Sequence, residues 1–133
     1  MSSILDYHLD RDSVPDPQVL PAGEYEVKIT SAKPKTSQAG KPMVEVAIGF
    51  PNELQAKTCF HYVTLPADSD EADTVQSKLR NLRNFYEAFG VDYSGPVDLD
   101  LMIGETCFAI ITEEEATDEY EASNRVKRFM ASK

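Results

Sequence analysis

The chain has 133 residues, of which 41% are apolar and 27% charged, with six Phe, six Tyr and no Trp. That suffices for one sizeable core but not two, is too aromatic for wholesale disorder, and contains no apolar run near the ~18 residues of a membrane span. Lys plus Arg number 13 against 23 Asp plus Glu, a net charge of −10. As a bulk property this argues against a polyanionic partner, but net charge governs solubility and steering, and a local patch can still bind.

The charges are segregated along the chain. Between Val27 and Val44 the only ones are Lys28, Lys33, Lys35 and Lys41. From Asn84 to Asn124 there are eleven acids and no base, and from Ala122 to Lys133 the balance reverses with Arg125, Lys127, Arg128 and Lys133. Two cysteines, Cys59 and Cys107, are too few for a disulfide scaffold and read as reduced, strand-borne thiols. Met1-Ser2-Ser3-Ile4-Leu5-Asp6 carries neither a basic leader nor a long apolar run, so no secretory signal is expected.

Residues 1–20 read as an acidic arm, with Asp6, Asp10, Asp12, Asp16, Pro15 and Pro17, and with Ile4, Leu5 and Tyr7 as its docking candidates. Residues 21–133 read as one domain. Pro21-Ala22-Gly23 introduces a strand over Glu24–Thr30 with Tyr25, Val27 and Ile29 on one face. Ser31–Lys41 has the composition of a loop. A second strand runs from Met43 to Phe50, and a third from about Leu54 to Leu65. In the third, Ala56, Thr58, Phe60 and Tyr62 form the more apolar face, predicting Phe60 and Tyr62 in the core and Lys57, Cys59 and His61 opposite. A one-residue change of register reverses that choice.

The period then changes to helical. Asp68-Ser69-Asp70-Glu71 supplies N-cap candidates, Val75, Leu79, Leu82, Phe85, Tyr86 and Phe89 form the apolar stripe, and Gly90 is the stop. Lys78, Arg80 and Arg83 fall on the polar face. Leu99, Leu101 and Ile103 predict the start of a fourth strand that bends at Gly104 and continues through Thr106, Phe108, Ile110 and Thr112. Glu113–Glu121 is an acidic hairpin loop. The last strand spans Ser123–Met130, with Val126, Arg128 and Met130 opposing Arg125, Lys127 and Phe129.

Five strands with a helix between the third and fourth predict a mainly β fold, an OB-fold or five-stranded Greek-key barrel. In such a barrel the first strand pairs with the second and fourth, the fifth is expected to close against the first, and ligands lie on strands 2–3 and the loops 1–2 and 4–5.

A family resemblance extends this reading. Leu20-Pro21-Ala22-Gly23-Glu24-Tyr25-Glu26-Val27, Lys35-Thr36 with Gly40-Lys41-Pro42-Met43, Leu79…Leu82…Ala88-Phe89-Gly90-Val91, Asp100-Leu101-Met102-Ile103-Gly104 and Asn124-Arg125-Val126 together resemble bacteriophage single-stranded DNA-binding proteins of OB-fold type, long filed as a domain of unknown function. The likeness covers about Leu20 to Met130. It implies coating of exposed single strands during phage replication or recombination, in the cytoplasm of an infected bacterial host. A phage recombinase or replication protein would be a partner by analogy, and self-association stays open. Glu113-Glu114-Glu115 and Asp118-Glu119-Tyr120-Glu121 depart from the neutral or basic hairpin common in such binders, and the basic end of the chain departs from their acidic tails.

Sequence-tolerant binding of a single strand needs cations for phosphates and aromatic platforms for bases. The candidate cations are Lys33, Lys35, Lys41, Lys57, Arg125, Lys127 and Arg128. The candidate platforms are Phe60, Tyr62, His61 and Tyr120, with Phe50 behind them. Five phosphate contacts would give a log affinity against log salt slope of roughly −3.5. Cys59, His61, Cys107 and His8 lack zinc spacing, and the 113–121 acids lack EF-hand spacing. Asp98-x-Asp100 resembles a nuclease carboxylate pair, with no third acid or base evident around it. No cofactor, metal or catalytic activity is therefore expected. Two rivals remain: an acidic module docking a basic replication or recombination partner through residues 84–124, and a DNA-mimic inhibitor.

Overall fold

The computed structural model describes Asp10, Asp12 and residues 16–130. The arm residues Ile4, Leu5 and Tyr7 lie outside that set, as does Lys133. The described chain is mainly β, with β1 (Gly23–Thr36), β2 (Pro42–Gly49), β3 (Cys59–Thr64), α1 (Ala72–Phe89), α2 (Leu99–Met102), β4 (Thr106–Glu114) and β5 (Ser123–Met130). One antiparallel sheet has the order β3-β2-β1-β4-β5.

β1 organises the sheet by being shared. Gly23–Lys28 pairs with β4, and Lys28–Thr36 pairs with β2 across a bulge between Ile29 and Ser31. A bulge bends a strand and sharpens its twist, so one strand serves two neighbours. The loop expected over Ser31–Lys41 is consequently much shorter. Lys33 and Lys35 belong to β1, and only a turn at Ser37–Lys41 remains, closed by Gly40 N–H to Ser37 O (2.9 Å) with Gly40 at φ +78°. Pro34 suggested a break, but beyond Lys28 β1 has β2 as its only neighbour in the sheet, and an edge tolerates a residue without an N–H.

The fifth strand does not close against the first. It pairs with β4, and its other side faces β3, where the Cys59 thiol donates to Asn124 O (3.3 Å) and the His61 and Phe129 rings meet at 4.9 Å. The helices follow β3 and precede β4 in the chain. In the sheet β2 and β1 separate those strands, so the helix is not lodged between the third and fourth strands. α1 instead packs on β3, β4 and β5 through Phe85, Ala88 and Phe89 at its C-terminal end. Gly90 ends it at φ +69°, its N–H returning to Glu87 O. Glu71 is the N-cap residue and makes no side-chain cap bond. Leu79, assigned to the apolar stripe, is exposed, the helix's buried residues all lying in its last turns.

Two further expectations change. Leu99–Met102 is a helical turn, not a strand: Asp98 caps it by accepting from Asp100 N–H (3.0 Å), and Gly104 at φ +98° returns the chain, its N–H reaching Ile29 O (2.8 Å). Asp98 and Asp100 are thus joined as cap and first turn rather than paired on a strand face. In the β4–β5 pairing the register shifts between Ile110 and Ile111 of β4, leaving Lys127 of β5 without a cross-strand partner in the register. That bulge inverts the alternation beyond Val126. Phe129 turns inward against Phe85, Phe89 and His61, while Arg128 stays outside.

The core joins both halves of the sheet through Val27, Ile29, Val46, Ile48, Cys107, Ala109 and Ile111, all fully buried. Both cysteines are free and buried; burial pushes the Cys59 thiol up to about 11 and the Cys107 thiol to about 12. Asn124 is a buried polar residue at the domain's entry. It accepts from Leu20 N–H (2.8 Å) and donates to Leu20 O (2.9 Å) and Thr112 O (3.3 Å), satisfying the backbone where the chain enters the domain. Gln18 bridges alongside, to Gln55 O and from Lys57 N–H.

Candidate nucleic-acid interface

β2 decides which face of β3 looks outward. Its buried residues Val44, Val46 and Ile48 stand opposite Val63, His61 and Cys59, so those three share the inner side. Phe60 and Tyr62 are therefore outside, 53% and 45% exposed, which corrects the expectation that they are core. His61, expected to face outward in that register, instead packs edge-on against Phe129 and stacked on Phe85 (6.2 Å). Burial, helped by nearby Arg125, holds its imidazole below the usual histidine range, and the ring lines the cleft between β3, β5 and α1 rather than the outer face of β3.

Phe60 and Tyr62 open into a cleft of about 600 Å³ whose far wall is the β4–β5 hairpin, with Glu114, Thr117, Tyr120, Glu121 and Arg125. Tyr120, 73% exposed, sits at the tip on a tight turn: its N–H donates to Thr117 Oγ1 (3.1 Å) and Thr117 N–H to Tyr120 O (2.8 Å). Three aromatic rings from two elements thus line one open groove. Phe50, by contrast, is buried edge-on to Tyr25. A second cleft of about 450 Å³ continues past Tyr62 between β3, β5 and α1, lined by Thr64, Asn81, Asn84, Lys127 and Arg128. Tyr62 lines both.

The cations converge less than their number suggests. Lys35 Nζ lies 5.6 Å from the Tyr62 ring centre but pairs with Glu45 (2.7 Å), and that hydrogen bond holds the Glu45 carboxyl below its usual range. Lys57 pairs with Glu121 (3.2 Å) and Arg125 with Glu114 (2.9 Å). Lys41 is drawn away altogether. With Lys78 it holds Asp70, whose side chain is wholly buried, at 2.9 and 2.6 Å. Among the described residues Lys33, Lys127 and Arg128 form no ion pair. The uninterrupted cationic furrow expected from the basic runs is replaced by an aromatic groove with a charge-compensated rim; Lys127 and Arg128 line the second cleft, and Lys33 lines neither.

Sequence reasoning missed the contributions of Asn81, Asn84 and Thr117. The Thr117-x-x-Tyr120 spacing is the signal that could have found the hairpin tip. No group of three or more His, Cys, Asp or Glu among the described residues is placed to hold a metal ion. Nor is any helix among them long and apolar enough to cross a membrane.

Fold and groove together define a mainly β domain with an open aromatic face. The chain belongs to the family described as a protein of unknown function (DUF669), whose pattern matches residues 7–129. No curated protein matches it.

Proposed function

We propose that this protein is an OB-fold single-stranded DNA-binding protein of the bacteriophage type, coating exposed strands with little sequence preference during replication or recombination. The observation that carries the reading is the grouping of Phe60, Tyr62 and Tyr120 in one open cleft. Large aromatics left half in water gain little for folding, whereas each base stacked on such a ring contributes ~1–3 kcal/mol irrespective of its identity. Supporting the Greek-key barrel are the shared, bent β1, the order β3-β2-β1-β4-β5 and the approach of β5 to β3. The groove lies on strand 3 and the 4–5 hairpin, where OB-folds take oligonucleotides. Bases would enter the groove, with Lys33, Lys127 and Arg128 as the cations available to phosphates outside it.

Fluorescence titration with a labelled oligo-dT and with duplex of equal length tests the reading. The single strand should bind and the duplex should bind much more weakly. Phe60→Ala and Tyr62→Ala should each weaken binding roughly 5- to 150-fold. Equal affinity for the two forms, or unchanged affinity in both variants, overturns it.

The hairpin acids Glu113, Glu115, Asp118 and Glu119, free of ion pairs among the described residues, favour one second reading: a surface that docks a basic replication or recombination partner. Charge reversal at Lys33, Lys35, Arg125 and Lys127 separates the two, abolishing oligonucleotide binding under the first and sparing partner capture under the second.

A further inference from the structure

We infer that Glu114 and Glu121 are built-in counter-ions of this groove, and that they make it select ligands with exposed bases over ligands that are merely anionic. The inference rests on the single-strand reading above. The cation in the cleft wall, Arg125, has its guanidinium 2.9 Å from Glu114, and Lys57, next in the chain to the cleft residue Thr58, has its ammonium 3.2 Å from Glu121. Glu121 makes that bond although its side chain is 91% exposed, and Lys57 also donates to the hairpin backbone at Ala122 O (3.2 Å). The contacts therefore fasten the hairpin that carries Tyr120 to the chain just before β3.

A phosphate that reaches either cation meets a charge that a carboxylate already compensates. The phosphate shares the cation with that carboxylate, so the contact brings little electrostatic gain, and the carboxylate stays beside the incoming strand. Neighbouring Glu115 adds repulsion of the same sign. Beyond what Lys33, Lys127 and Arg128 gain from phosphates, affinity then comes from bases stacked on Phe60, Tyr62 and Tyr120. A duplex, whose bases are already stacked internally, or a sugar-phosphate chain without bases cannot supply that stacking.

The test compares the parent protein with the double variant Glu114→Gln/Glu121→Gln, using an oligo-dT, an abasic deoxyribose-phosphate strand of the same length, and a duplex. Glu24→Gln/Glu53→Gln, which makes the same change in net charge away from the groove, is the control. With two cations released, oligo-dT affinity should rise roughly tenfold at low salt and the salt slope should steepen by about 1.4. The abasic strand, held far more weakly than oligo-dT by the parent, should gain affinity in the double variant. The control should match the parent. If the parent binds oligo-dT and the double variant shows the same affinity, slope and weak abasic binding, the counter-ion role is wrong and the single-strand reading stands. If the control gains as much as the double variant, net charge alone explains the effect and the role is again wrong. If neither parent nor variant binds oligo-dT, the single-strand reading itself falls.

Discussion

Asn124 illustrates what one buried polar side chain can decide. It sits inside the domain, yet each of its three bonds goes to backbone, two of them to Leu20 and one to Thr112. An alanine there leaves the Leu20 N–H and two carbonyls without partners away from water. Such a group costs about 1–3 kcal/mol when stranded. Asn124→Ala should therefore lower the unfolding free energy by about 3 kcal/mol in urea denaturation, a loss that substituting the half-exposed Phe60 or Tyr62 should not reproduce. Binding and folding separate cleanly at this scale: the rings that face the groove are not the rings that hold the core.

The same separation governs the elements. Lys41 was a candidate phosphate contact, but it joins Lys78 on Asp70 and so ties the β1–β2 turn to the chain just before α1. Asp70 also accepts from Ala67 N–H at 2.9 Å. Hydrogen bonds from Lys78, Lys41 and Ala67 hold its carboxyl well below the usual aspartate range. A carboxyl whose folded pKa is depressed binds fewer protons in the folded state, so its stabilisation is complete above the unfolded value near ~3.9 and is lost as pH falls through the folded one. Asp70→Asn should unfold at a lower temperature than the parent at pH 7, and the two melting curves should converge as the pH is taken below about 4. Lys41→Ala should leave oligonucleotide affinity nearly unchanged.

For the whole molecule, the net −10 is compatible with a polyanionic ligand only if attraction is local. Four of the seven candidate cations, Lys35, Lys41, Lys57 and Arg125, are held by carboxylates. Three contacts in place of five predict a slope of log affinity against log salt of roughly −2 instead of roughly −3.5. Titration of oligo-dT at several salt concentrations measures it. A slope of −3.5 or steeper would mean that the ion pairs open on binding, and a slope near zero would remove the phosphate contacts from the account.

Element identity was legible in the sequence wherever the pattern was local. The strict alternation Tyr25-Val27-Ile29, the helical stripe ending at Phe89-Gly90, and Ser123–Met130 as the last strand all follow from which neighbours along the chain are apolar. What local pattern could not supply was parity. Phe60 and Tyr62 were as suited to the core as Cys59, His61 and Val63, and only pairing with the buried face of β2 sends the larger rings outward. A single bulged residue at Lys127 likewise turns Phe129 from the surface into the core. The sequence also displayed its lysines without their counter-ions, because Glu45, Asp70, Glu114 and Glu121 lie from 8 to 64 residues from the cations they hold. Along a strand, side-chain direction alternates with every residue and charge pairing ignores chain distance, so both the groove's rings and its charge balance are properties of the folded sheet alone.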